Sequence, residues 1–165
     1  MNTNIKVSAI IITHNRCTQL NRAIQSVLYQ TYKNIECIVV DDASTDGTRE
    51  YCSRLDNIIY VRIESSESKG GNYARNIGIK KAQGKYVAFL DDDDQWLPEK
   101  ITKQVEFLNT NYSIGLVYCG RILHTITQNN ETNRLLYPDR RNKRNIKRRI
   151  LYTMQKNVLF SNRMP

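Results

Sequence analysis

At 165 residues, 40% apolar and 25% charged, the chain has an ordinary globular composition and enough length for one domain with its own core. No apolar run approaches the ~20 residues that span a bilayer, and Met1-Asn2-Thr3-Asn4 begins no signal-peptide pattern, so a cytoplasmic protein is expected. The net charge of +9 points toward anionic partners.

In chain order, Lys6 to Ile12 is β-branched and apolar, hence a buried strand. Leu20, Ala23, Ile24, Val27 and Leu28 recur at helical spacing within a predicted helix from Cys17 to Tyr32. Ile35 to Val40 is a second strand, followed by Asp41-Asp42; Ser44 to Gly47 is turn and cap chemistry opening a helix to about Leu55. Ile58 to Ile63 is a third strand. Gly70-Gly71 serves the entry of a third helix, which turns Ala74, Ile77, Ile79 and Ala82 toward the core. Tyr86 to Leu90 is the fourth strand, Pro98 to Leu108 the fourth helix and Ile114 to Cys119 a fifth strand. After Gly120 the alternation fails, and Ile150 to Phe160 is the next helical candidate. Cys17, Cys37, Cys52 and Cys119 form no C-x-x-C pair; Cys37 and Cys119 read as small core residues, and neither a zinc site nor a disulfide framework is expected.

This alternation predicts an α/β fold: a mostly parallel open sheet with helices on both faces. Ligands of such sheets bind outside the carboxyl ends of the strands. Three polar clusters fall there: Thr13-His14-Asn15-Arg16, Asp41-Asp42 and the run Asp91-Asp92-Asp93-Asp94. Four like charges at one strand end repel unless compensated, and a divalent cation with a phosphorylated ligand supplies that compensation. A single Asp would suffice to cap the helix starting near Pro98, so four point to a site.

The segments Val7–Arg16 (VSAIIITHNR), Ser26–Thr48, Gly70–Asp94 and Gln95–Ile101 together resemble the family 2 glycosyltransferases in order, spacing and identity over residues 6–120. The resemblance implies a GT-A, Rossmann-like fold and an inverting transfer from a nucleotide-diphosphate sugar, expected to be UDP-linked, to a glycan or lipid-linked acceptor in cell-surface polysaccharide synthesis. It implies that Thr13 and His14 line the nucleotide base, with Asn15 supporting their loop. Asp42 would accept a hydrogen bond from the base imide, while Asp41 holds the turn. Arg75 would reach the nucleotide or its phosphates. Asp91-x-Asp93 matches the family's D-x-D element, with Asp93 the direct ligand of Mn²⁺ or Mg²⁺ and Asp91 on the ribose or a metal-bound water; Asp92-Asp93 is the alternative register, with Asp92 then facing the nucleotide.

Two departures stand out. Ile12-Thr13-His14-Asn15 replaces the family's Pro-Thr-Tyr-Asn, which leaves the nucleotide preference open. No acid after Asp94 stands in a credible position for the general base that an inverting transfer needs: Glu99 and Glu106 fall on a helix, Glu131 and Asp139 in polar loops. Residues 1–120 are therefore read as the donor-binding core and 121–165 as a basic, incomplete start of an acceptor region. The expectation is a truncated chain that binds donor but transfers poorly or only hydrolyses.

Between Asn133 and Arg149, eight Lys/Arg face one acid, Asp139. Without interleaved aromatics, the block 134–149 suits peripheral contact with anionic membrane at the inner cell face better than nucleic acid, and no nucleic-acid partner is expected. Two competing functions are a nucleotide-sugar-binding fragment without activity and a basic module for membrane or nucleic acid. A haloacid-dehalogenase-type phosphatase also uses D-x-D after a strand, but the position two residues after the second Asp, its Thr in that family, is Gln95 here.

Overall fold

The computed structural model describes residues 5–126, 131–136 and 158–161. Its first part alternates β1 (Val7–Thr13), α1 (Cys17–Leu28), β2 (Ile35–Asp42), α2 (Thr48–Cys52), β3 (Ile59–Ile63), α3 (Gly71–Lys81), β4 (Tyr86–Asp91) and α4 (Lys100–Thr110). Next come β5 (Leu116–Tyr118), a hairpin of β6 (Arg121–Ile126) and β7 (Glu131–Leu136), and β8 (Val158–Ser161). The main sheet runs β3-β2-β1-β4-β8-β5. Its first four strands are mutually parallel, and β8 lies antiparallel between β4 and β5. The expected open, mostly parallel α/β sheet is what forms.

Side chains alternate across a pleated strand, so each strand feeds two cores. Val7, Ala9, Ile11, Val39, Ala88 and Leu90 pack with Leu20, Ile24 and Val27 of α1 and with Ile101 and Val105 of α4. Ile10, Ile38, Val40, Val87 and Phe89 point the other way, onto Ala74 of α3. The apolar runs of β1, β2 and β4 are continuous because both faces are covered. Helix α3 sits close to the sheet at Gly78, where a Cβ would stand 2.5 Å from Ile10 Cγ2. Ala74 and Gly78 are its buried positions, with Ile77, Ile79 and Ala82 packed around the core's margin.

Three expectations are corrected. Val158 to Phe160 belong to strand β8, not a helix, while 150–157 lie outside the described residues. An apolar run of this length suits a strand or a buried helix equally, and the open edge of β4 selects the strand. The polar stretch after Gly120 contains the β6–β7 hairpin. Cys119 is exposed beyond the end of β5, whereas Cys37 is buried in the core. The N-cap of α4 is Glu99. All four cysteines are free, as expected.

Candidate functional site

The parallel register sets Thr13 beside Asp41 and Ile12 beside Asp91, so three distant segments end on one sheet edge. There they border a cleft of about 350 Å³, walled by the 12–16 segment, Asp42, the start of α3 and Asp91 to Asp93. Strand parity then assigns each aspartate a side. Asp42 and Asp91 continue the α3-facing columns above Val40 and Phe89 and reach the cleft. Asp41 continues the opposite column above Val39, and Asp92 follows Leu90 there.

Asp41 is fully buried and makes no part of the cleft wall. Its Oδ1 accepts the Ser44 N–H at 2.9 Å; its Oδ2 accepts the Tyr60 hydroxyl at 2.6 Å and Arg62 Nη1 at 3.0 Å. Burial, reinforced by the Asp41 carboxylate, pushes the Tyr60 hydroxyl far above its ordinary pKa, so it stays a donor. The turn-holding role read for Asp41 is the geometry observed. Asp42, next in the chain, keeps a buried Oδ1 with no hydrogen-bond partner. A carboxylate oxygen left this way is costly until a donor reaches it.

The 13–16 segment ties the two acidic ends together. Thr13 Oγ1 donates to Asp92 Oδ2 at 2.8 Å. His14 Nδ1–H donates to the Asp42 carbonyl at 2.5 Å, leaving Nε2 as acceptor for the Asn15 amide at 3.1 Å. Asn15 stands outside the cleft wall with φ +54. Its N–H donates to Ser44 Oγ at 2.9 Å and its Oδ1 accepts the Thr45 N–H at 2.7 Å. These contacts tie the 13–16 segment to the turn at Ser44 and Thr45.

Two arginines compensate the acid run. Arg75 Nη2 contacts Asp91 Oδ1 at 3.0 Å, both side chains largely covered. Arg16 Nη1 reaches Asp92 Oδ1 at 3.1 Å and Asp93 Oδ2 at 3.3 Å. Arg16 and Asp93 are each 51% exposed, so water screens that pair and its stabilisation is about 0–1 kcal/mol. Burial pushes the Asp92 carboxyl above its usual range, and the Thr13 hydroxyl and Arg16 only partly offset this. Arg16, which ends the motif that carries Thr13, gains a role from these contacts that the sequence did not assign it.

One carboxylate oxygen each from Asp91, Asp93 and Asp94 can lie within 4.8 Å of the others. Three oxygen donors without thiol or imidazole suit a hard divalent cation such as Mn²⁺ or Mg²⁺. Asp92 stands outside this group, engaged by Thr13 and Arg16. Asp94, part of the acidic run but given no ligand role from the sequence, stands inside it. The Asp94 N–H closes a turn onto the Asp91 carbonyl at 3.1 Å, which folds the run back on itself. Trp96 is buried in the core.

The later acids lie elsewhere. Glu99 pairs with Lys103 at 2.6 Å, Glu131 with His124 at 2.9 Å, and neither these nor Glu106 lines the cleft. Asp139 is outside the described residues.

The model of the glycosyl transferase family 2 matches residues 8–164. The chain belongs to that family. A β-1,3-glucosyltransferase of Escherichia coli, WfaP, named for UDP-Glc and α-D-GlcNAc-diphosphoundecaprenol, is 41% identical over 63% of this chain and 41% of its own length. The putative teichuronic acid biosynthesis glycosyltransferase TuaG of Bacillus subtilis is 42% identical over 62% of this chain and 41% of its own. This family 2 chain thus spans about two fifths of these curated relatives. Among solved structures, the mannosyltransferase PcManGT of Pyrobaculum calidifontis, in complex with GDP-Man and Mn²⁺, superposes with a TM-score of 0.61 at 27% identity, over 70% of this chain and 35% of that one. S. aureus TarS 1-349 in complex with UDP-GlcNAc reaches 0.66 at 22% identity, over 96% of this chain and 46% of that one, a likeness of fold.

Proposed function

We propose that the cleft binds a nucleotide-diphosphate sugar, expected to be UDP-linked, together with Mn²⁺ or Mg²⁺. We propose also that the chain takes part in transferring that sugar to a glycan or lipid-linked acceptor of the cell surface. The observation that carries this reading is the meeting of an unpartnered buried oxygen of Asp42 and the carboxylates of Asp91 and Asp93 on one cleft. Family membership and the relatives' names support it.

In this reading residues 1–120 hold the donor and 121–165 belong to the acceptor side. Asp42 Oδ1 accepts the N–H of the base imide, and His14 borders the base beside it. Arg75 contributes positive charge at the diphosphate, turning from Asp91 when the anion arrives. Asp93 and Asp91, with Asp94 beside them, hold the cation. The bound cation neutralises charge developing on the diphosphate leaving group. Asp92 keeps Arg16 and Thr13 in place within the cleft wall. The basic block 134–149 is assigned to contact with anionic lipid, consistent with a lipid-linked acceptor; among the described residues no helix is long and apolar enough to cross a membrane.

Calorimetric titration of UDP, GDP and dTDP, with and without Mn²⁺, against the wild type and Asp93→Ala tests the reading. UDP binding that requires Mn²⁺ and falls about 10–100-fold in Asp93→Ala is expected, the scale of losing one charged ligand contact. Failure of every nucleotide to bind would overturn it.

A further inference from the structure

The base-facing wall rests on residues that never reach the cleft. Arg62 stands directly across from Asp41 in the β2–β3 register, with Tyr60 two positions earlier on the same face. Arg62 Nη1 donates both to Asp41 Oδ2 and to the Ser44 carbonyl, each at 3.0 Å, so one guanidinium clamps both ends of the 41–44 turn. The Tyr60 hydroxyl and the Ser44 N–H complete the coordination of the Asp41 carboxylate. Inside the clamp sits Ala43 at φ +60, a backbone conformation that a side chain with a Cβ disfavours and that surrounding contacts must enforce. Asp42, the last residue of β2, stands immediately before it.

We propose that Arg62, seconded by Tyr60, is a positioning residue that acts through Asp41 and the strained Ala43 turn to aim the Asp42 carboxylate at the base, and so sets base selectivity. The proposal rests on the reading that Asp42 accepts a base N–H. Uracil offers an N–H at N3 where cytosine carries a lone pair, so an aimed carboxylate attracts one and repels the other. Hydrogen bonds weaken steeply with misalignment, so a turn that relaxes blunts this discrimination before it affects the diphosphate.

The experiment measures, in Mn²⁺, the affinities of UDP, CDP and inorganic pyrophosphate for the full chain as wild type, Arg62→Gln, Arg62→Lys and Tyr60→Phe. The wild type is expected to prefer UDP over CDP by about tenfold or more, the value of one well-made charged hydrogen bond. Arg62→Gln should lose about tenfold in UDP affinity while CDP and pyrophosphate change by less than about twofold. Arg62→Lys, which keeps a cationic donor, should recover part of the preference, and Tyr60→Phe should lose roughly threefold. General loosening of the fold would weaken all three ligands together. A UDP-to-CDP ratio unchanged in the variants overturns the positioning role. Should Arg62→Gln fail to fold, Tyr60→Phe decides by the same ratio. A wild type that binds UDP and CDP alike refutes the role of Asp42 itself, and this proposal with it.

Discussion

Which carboxylate does what is decided by a count of two. From Val40 to Asp42 and from Phe89 to Asp91 the pleat carries a side chain to the α3 face; one residue fewer, at Asp41, carries it behind the sheet. Asp92, past the end of β4, borders the cleft but stays outside the cation group and accepts from Thr13. Thr13→Val keeps the shape and removes the donor, leaving a half-satisfied buried carboxylate. Thermal unfolding should report a loss of about 1–3 kcal/mol. The convergence of strand ends made the acid clusters legible in the sequence, and the family resemblance singled out Asp42, Asp91 and Asp93 among them. Arg16 and Asp94 were not legible, for different reasons. Arg16 acts across 76 residues on a partner that only register reveals, and Asp94 turns inward only because the chain reverses at Asp91.

At the scale of elements, α3 is held by a fit that an added methyl would disturb. Gly78→Ala improves helix propensity by about 1 kcal/mol but pushes a Cβ into Ile10, and overpacking costs about 1–3 kcal/mol. Denaturant unfolding should show net destabilisation. Nucleotide affinity should also fall, because α3 carries Arg75 to the cleft. Gly70, at φ +81, makes the entry to that helix in a conformation glycine adopts freely. The strands and helices up to α4 were readable because their apolar periods are long and covered on both faces. Helix ends shifted by a few residues, as at Leu28 rather than Tyr32, where the Tyr29 N–H closes the last turn and side-chain packing no longer favours continuing. Strand β8 was not readable: its identity comes from the edge it finds, not from its own residues.

Across the whole molecule, the sheet is pinned at the edge opposite the cleft by one acid. Glu36 on β2 accepts the Ser8 hydroxyl, Lys6 Nζ at 2.6 Å and the Gln83 N–H at 2.8 Å, while Ser8 Oγ accepts the Gly84 N–H at 2.8 Å. Burial pushes the Glu36 carboxyl up, but these donors outweigh it and the net shift is below the ordinary 4.5. A carboxyl depressed in the folded state adds stability that is full above its unfolded value and lost as pH falls through its folded one. Glu36→Gln should therefore cost about 1–2 kcal/mol at neutral pH and progressively less as the pH falls below 4.5. Urea unfolding of both proteins across that range checks it. Mn²⁺-dependent nucleotide binding should survive, since this edge is remote from the cleft.

Strand β8 has a consequence for the order of assembly. The ribosome releases β1 to α4 well before Val158, so β4 emerges with one flank paired to β1 and the other bare. Until Val158 to Ser161 arrive, the strand that ends in the aspartates offers an apolar edge to any neighbouring nascent chain. Versions of the protein cut ahead of Val158 should partition into aggregates during expression, and sedimentation of the freshly made chain would reveal it. The cover on that flank of β4 thus waits for four residues far along the chain.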